Sequence, residues 1–228
     1  MEALGPQLLQ IIEIIWVNVV LSGDNAVVIA MACRGLPPDK RRLGMLLGAG
    51  VAVVLRIVFT FLVVTLLTTP FLKIIGSLLL FWIAVKLVTD QSEEDDPTIK
   101  ETDRLWNAVK TVAIADAVMS LDNVLAIAAI AKDSQFLLIL GLAISIPLIV
   151  AGASLIMTLL ERYPIFVWAG AALLGWVAGE MLVSDPWLVG QIGEATSHRL
   201  ALPASVLGAL VVVALGYLLR RRAPLAES

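Results

Sequence analysis

The sequence predicts an all-α membrane protein with seven transmembrane helices, arranged as a 3+3 inverted repeat plus one C-terminal helix. The first observation is composition: 60% of the 228 residues are hydrophobic and 15% are charged, whereas soluble domains average about 45–50% and about 25%. The second is a series of long apolar stretches. The third is a polar motif that occurs twice, each time inside one of those stretches.

Stretches of about 20 apolar residues are long enough to cross a bilayer. We place seven, at roughly 8–32, 43–68, 71–89, 106–131, 135–160, 164–184 and 203–219. Pro203 is expected to open the seventh span, since proline is best tolerated in the first turn, and Pro147 predicts a kink in the fifth. The chain then divides into a first repeat (1–89), an acidic cytoplasmic linker (90–104), a second repeat (105–184), and a segment (185–228) with an external loop, the seventh helix and a basic cytoplasmic tail.

The basic residues predict the orientation, because cytoplasmic loops carry an excess of Lys and Arg. Eleven fall on one side and three on the other. The N-terminus is therefore expected outside and the C-terminus in the cytoplasm. The cytoplasmic set is Arg34, Lys40, Arg41, Arg42, Lys100, Arg104, Lys110, Arg162, Arg220, Arg221 and Arg222, and the external set is Lys73, Lys132 and Arg199.

The polar motif links the two repeats. Residues 14–32 read IIWVNVVLSGDNAVVIAMA, and residues 113–131 read AIADAVMSLDNVLAIAAIA. A second set of matches, between 70–86 and 164–180, has a constant offset of 94. Each repeat has three spans, an odd number, so the second copy enters the membrane from the opposite side. Inverted repeats place their binding site near the midplane.

Ionisable residues at this depth cost about 2.5–3.5 kcal/mol on insertion scales and mark functional sites. The motif supplies carboxylate and amide oxygens, which suit Mg²⁺, Ca²⁺ or Mn²⁺. Several buried carboxylates need a cation or protons to neutralise them, so the two can exchange. The candidate metal ligands are Asp24, Asp122, Asn25, Asn123, Asp116 and Asn18.

Four further polar residues are candidates for a counter-ion or gating role. Arg56 is either a counter-ion for an unloaded carboxylate or part of a fixed ion pair. Glu13 shares a helical face with Asp24, but it lies nearer the outer surface, where snorkelling to the interface is the alternative. Ser22 and Ser120 are as well explained by hydrogen bonds between helices as by ion binding, and the same alternative stays open for Asn18.

One cysteine and one histidine exclude a disulfide framework, a Cys/His zinc cluster and haem ligation by paired histidines. No Ser/His or Cys/His pair lies within the spans, so we do not expect an enzyme. We also expect no resident cofactor and no nucleic-acid partner.

The segments LSGDNAVVIA and SLDNVLAIAA, in a seven-span inverted repeat of this length, resemble the TerC family. The likeness is greatest to its short YjbE-like branch, within the wider LysE superfamily of exporters, and covers spans one to six. It implies a bacterial inner-membrane protein in a family whose better-understood members export Mn²⁺ and whose name comes from tellurite resistance. Carried over by position, the metal-linked acids would be Asp24 and Asp122, with Asn25 and Asn123 beside them and Asp116 as an extra acid.

We therefore expect a secondary transporter that exports a divalent metal ion, Mn²⁺ ahead of Ca²⁺, by proton antiport through a midplane Asp/Asn site. Its partners would be the metal ion, protons and the lipid bilayer, with a homo-oligomer left open. One alternative is an exporter of a small organic solute such as an amino acid, for whose carboxylate Arg56 is the buried candidate. Another is a membrane scaffold for stress resistance that transports nothing.

Overall fold

The computed structural model describes residues 12, 15–16, 23–89, 101–130 and 135–222, with only the backbone for 63–65, 67–68, 122–130, 135–138 and 222. All regular secondary structure in these ranges is helical. The helices are α1 (Gly23–Cys33), α2 (Pro38–Thr68), α3 (Leu72–Thr89), α4 (Glu101–Ile130), α5 (Gln135–Arg162), α6 (Ile165–Val183), α7 (Pro186–Ile192) and α8 (Glu194–Arg222).

The chain forms two compact units, and each takes helices from both predicted repeats. Unit 1 consists of Met1–Thr68 and Glu101–Glu161, and unit 2 of Thr69–Lys100 and Arg162–Ser228. In unit 1, α1 packs against α4, so the helices that carry the two copies of the polar motif are neighbours. In unit 2, α3 packs against α6, the third predicted span of each repeat.

In unit 1, α2 and α4 run in the same direction. Near the start of their contact, a Cβ placed on Gly48 would lie 3.1 Å from Val112 Cγ1. Further along both helices, Arg56 contacts Asp116. The close approach at Gly48 brings the two helices near enough for this second contact. A parallel pair is what the predicted topology requires, since one full crossing (α3) separates α2 from α4.

Helix α5 runs antiparallel to α2 within the same unit. Arg41 at the start of α2 pairs with Glu161 at the end of α5. Val53, midway along α2, packs against Leu142 in the first third of α5, and both side chains are buried. The ion pair therefore lies at one end of an apolar contact.

In unit 2, α3, α6 and α8 all pack against one another, and α6 and α8 meet with their backbones in contact. A Cβ on Gly175 would lie 2.6 Å from the Gly208 carbonyl oxygen, and a Cβ on Gly179 would lie 2.2 Å from the Ala204 oxygen. The order of these contacts makes the helices antiparallel. Small residues at membrane helix interfaces allow this approach.

One buried carboxylate joins the starts of α3 and α7. Asp185 is the N-cap of α7, where its Oδ1 accepts from Trp187 N–H at 2.9 Å. The same oxygen accepts from Phe71 N–H at 3.1 Å, and Oδ2 accepts from Lys73 N–H at 3.1 Å and Ile74 N–H at 3.3 Å. The first N–H groups of a helix lack intrahelical partners, so one side chain caps two helices.

Five of the described helices are long and apolar enough to cross a membrane. They are Pro38–Leu62, Leu72–Thr89, Ile139–Arg162, Ile165–Val183 and Glu194–Arg221. The predicted first and fourth spans are not among them, and both contain residues outside the described part of the chain. The structure thus supports an all-α membrane protein, while the count of seven and the inverted repeat stay predictions.

The last predicted span begins earlier than expected. Helix α8 starts at Glu194 and continues through Pro203, the predicted first residue of the span. A proline inside a helix removes one hydrogen bond and crowds the preceding turn, yet the helix does not end there. Much of the predicted external loop is also helical, as α7 and the first turns of α8. Pro147 lies inside the single helix α5, and its kink stays a prediction.

Candidate functional site

Three buried polar side chains meet between α2 and α4. Arg56 Nη2 lies 3.0 Å from Asp116 Oδ1, and the two side chains are 1% and 2% exposed. Ser120, one turn further along α4, donates its hydroxyl to Asp116 Oδ2 at 3.1 Å. Both carboxylate oxygens of Asp116 are therefore engaged. Because both side chains are buried, the ion pair is held by its contacts within the protein and is not exposed to solvent.

Asp24 lies beside this cluster, in the first turn of α1. Its Oδ1 accepts from the backbone N–H of Asn25 at 2.8 Å, a bond that a first-turn N–H group can make. The charges of Arg56 and Asp116 both act on the Asp24 carboxyl. Asn25 is buried, whereas Asp24 keeps part of its surface exposed. Asp24 is also more accessible than the second carboxyl group of this region, that of the buried Asp116.

The cluster and Asp24 together have two carboxyl groups and one guanidinium. Burial of a charge is costly unless the charge is paired and hydrogen-bonded. The Arg56–Asp116 pair meets that condition within the protein. Asp24 is the carboxyl group left for a cation or a proton to neutralise, and its described hydrogen bond is to the backbone N–H of Asn25 at the start of α1.

The other predicted site residues lie outside what the structure describes. Asn18, Ser22 and Glu13 are in the undescribed part before α1, and the backbones of Asp122 and Asn123 lie in α4 while their side chains are not described. Among the described side chains, no three Asp, Glu, His or Cys residues come together as a metal site. The six-residue ligand set therefore stays a prediction. Three of its members, Asp24, Asn25 and Asp116, are described, and they lie in one region.

The sequence indicated some of this arrangement. Asp116 and Ser120 are spaced i, i+4, which predicts one helix face, and they do bond to each other. It left the role of Arg56 open between two alternatives, and the structure pairs it with Asp116. The sequence analysis did not single out Asp185, although an aspartate directly before a proline is a helix-start signal, and the two are the N-cap and first residue of α7.

The described helices and the buried ion pair define a multi-pass integral membrane protein with an ionisable cluster inside it. The family described as "Integral membrane protein TerC family" matches residues 4–224. The chain belongs to the TerC family, as the motif resemblance implied.

Several relatives come from Bacillus subtilis (strain 168). The membrane protein YjbE is 36% identical over 92% of this chain and 95% of its own length. YkoY is 30% identical over 69% of this chain and 54% of its own length, and YceF is 28% identical over 71% and 65%. Their names state no substrate. No solved structure matches the chain.

Proposed function

We propose that this protein is a secondary transporter that exports a divalent metal ion, Mn²⁺ in the first place, in exchange for protons. The observation that carries the proposal is the buried Arg56–Asp116 pair with Asp24 beside it, inside helices of a membrane protein. Ionisable residues in such places mark ion pathways and proton relays. The choice of Mn²⁺ rests on the TerC resemblance and on the hard oxygen donors.

In this proposal, Asp24 and Asp122 are the principal ligands and proton acceptors, and Asn18, Asn25, Asn123 and Asp116 complete the shell. A divalent ion and protons compete for the same carboxylates, because either one lowers the cost of burying them. Proton entry from outside would then drive metal exit. The protein would lie in the bacterial inner membrane, with its N-terminus outside and its C-terminus in the cytoplasm.

Arg56 has a defined part in this scheme. Without a bound ion, its guanidinium compensates the charge of Asp116 at 3.0 Å. An entering cation that uses Asp116 must compete with this internal cation. The same contact weakens the organic-solute alternative, because the arginine that would have to bind a substrate carboxylate already binds one from the protein.

The decisive test is metal content in cells that lack their own manganese exporters. The cells carry the wild type, Asp24→Asn, or Asp39→Asn as a matched control, since Asp39 is an exposed acid in the first turn of α2. Under manganese challenge, total manganese, calcium and zinc are measured by mass spectrometry. We expect the wild type and Asp39→Asn to lower manganese and Asp24→Asn to fail at equal membrane levels. Full activity of Asp24→Asn would refute the site. If the wild type leaves the cellular content of all three metals unchanged, metal export is refuted.

A second experiment tests the counter-ion role of Arg56. Mn²⁺ binding to the purified wild type is compared with binding to Arg56→Gln, which keeps Asp116 and removes its internal cation; circular dichroism checks that the variant is folded without the buried pair. Removing a positive charge next to a divalent cation should tighten binding at least about tenfold. Equal affinities would show that Arg56 is a structural partner only.

A further inference from the structure

One end of unit 2 brings three helix termini together. Helix α3 ends at Thr89, α6 begins at Ile165 and α8 ends at Arg222. A Cβ on Gly216 of α8 would lie 3.2 Å from both the Trp168 ring and Val88 Cγ1. The missing side chain at Gly216 therefore makes room for Trp168 where the three helices meet.

This end of unit 2 is basic. We call the set Lys86, Arg162, Arg220 and Arg221 the basic end. The acidic residues in the described part of unit 2 are Glu180, Asp185 and Glu194, and they lie where α6 ends and where α7 and α8 begin, at the opposite end of these helices. Lys73 and Arg199 lie at that opposite end as well, so the basic end is the end of the unit where the described charged residues are all positive.

Aromatic rings hold the guanidinium groups of the basic end. The Cζ atom of Arg220 lies 6.0 Å from the centre of the Trp168 ring, and that of Arg221 lies 5.8 Å from the Tyr217 ring. Arg162 lies 5.7 Å from the ring of Tyr163. Cation–π contacts stabilise such pairs. The guanidinium groups of Arg162 and Arg221 are planar forks of N–H donors, and this shape matches the oxygens of a phosphate.

The depth of the basic end follows from helix length. The 19 residues of α6 span about 28 Å, close to the thickness of the hydrocarbon core. Arg162 and Tyr163, just before α6, are therefore at the level of the lipid headgroups. In α8, the exposed Leu215, Leu218 and Leu219 immediately precede the arginines. These leucines form an apolar wall at the depth of acyl chains.

We propose that the basic end of unit 2 binds the phosphate headgroup of an anionic phospholipid, whose acyl chains lie against the exposed leucines of α8. Charge complementarity and depth both favour this occupant, since basic residues at the headgroup level attract anionic lipids. In the orientation predicted from the basic loops, the lipid belongs to the cytoplasmic leaflet. The proposal does not depend on which substrate the protein transports.

Native mass spectrometry of the purified full-length chain tests this proposal. Phosphatidylglycerol and phosphatidylcholine with identical acyl chains are titrated against the wild type and Arg162→Gln/Arg221→Gln. The control, Lys73→Gln/Arg199→Gln, removes two positive charges from the other end of unit 2. We expect selective retention of phosphatidylglycerol by the wild type and the control, and at least about tenfold weaker retention by the variant at the basic end.

Three results would overturn the proposal: equal retention by both double variants, equal retention of the two lipids, or displacement of phosphatidylglycerol by millimolar inorganic phosphate. Circular dichroism and elution volume check that each variant is folded. If the double variant aggregates, Arg162→Gln and Arg221→Gln are measured singly, and each should weaken binding about threefold.

Discussion

The double cap at Asp185 yields the sharpest prediction for stability. Its carboxylate is fully buried and accepts from four backbone N–H groups at 2.9–3.3 Å. Asp185→Ala removes all four acceptor contacts. A buried donor left without a partner costs about 1–3 kcal/mol. Because the site lies at the ends of membrane spans, water can enter and reduce that cost, so we expect a loss of about 4 kcal/mol in total.

The variant Asp185→Asn distinguishes the contributions of the two carboxylate oxygens to stability. The amide oxygen can replace Oδ1, which accepts from Phe71 and Trp187. The amide nitrogen then faces the N–H groups of Lys73 and Ile74, which are donors as well. Donor facing donor cannot bond. We therefore expect Asp185→Asn to lose about half as much stability as Asp185→Ala, about 2 kcal/mol.

The free energy of unfolding is measured by titrating the protein in mixed micelles with an increasing SDS fraction, using helical circular dichroism. Glu194→Ala is the control, because Glu194 is an exposed acid in the first turn of α8 on the same end of the unit. It should have a smaller effect than Asp185→Asn. If Asp185→Ala unfolds at the wild-type SDS fraction, the double cap does not stabilise the fold as argued.

Two other predictions concern helix packing and use the same unfolding assay. Gly179→Ala should destabilise the protein by about 1–3 kcal/mol, because its Cβ would lie 2.2 Å from the Ala204 carbonyl oxygen. The control Gly50→Ala, whose Cβ would have no atom within 4 Å, should be neutral or stabilising. Equal effects of the two substitutions would contradict the close contact. For the half-exposed Arg41–Glu161 pair, Arg41→Glu should cost about 1 kcal/mol, and adding Glu161→Arg should restore stability if the two side chains interact.

Hydropathy was enough to predict the helical class and the approximate position of most spans. In lipid, backbone N–H and C=O groups without a hydrogen bond are costly, so apolar segments form helices. It was not enough to predict where α8 begins. Pro203 is a valid start signal, but the polar residues before it form a helix as well, and no property of a single residue distinguishes a helix that starts at a proline from one that passes through it.

The candidate site was only partly predictable for a similar reason. The i, i+4 relation of Asp116 and Ser120 is local, so helix periodicity predicts it. The partner of Asp116 is Arg56, 60 positions earlier on another helix, and that pairing depends on how closely α2 approaches α4 at Gly48. Helix contacts set by glycines cannot be worked out from the spacing of charges. The roles of Asp122 and Asn123 stay predictions from the repeated motif.

The contact of α6 with α8 has a consequence for motion. Helices separated by long side chains can slide past each other as those side chains repack, but here only backbone atoms lie between Gly175 and Gly208. A slip of α8 by one turn, about 5.4 Å, would bring Val212 to the position now held by Gly208. Val212 Cγ2 already lies 2.8 Å from where a Cβ on Gly175 would be, so the slip has no room. Because α6 and α8 also touch at Gly179 and Ala204, we expect the two helices to translate and tilt together.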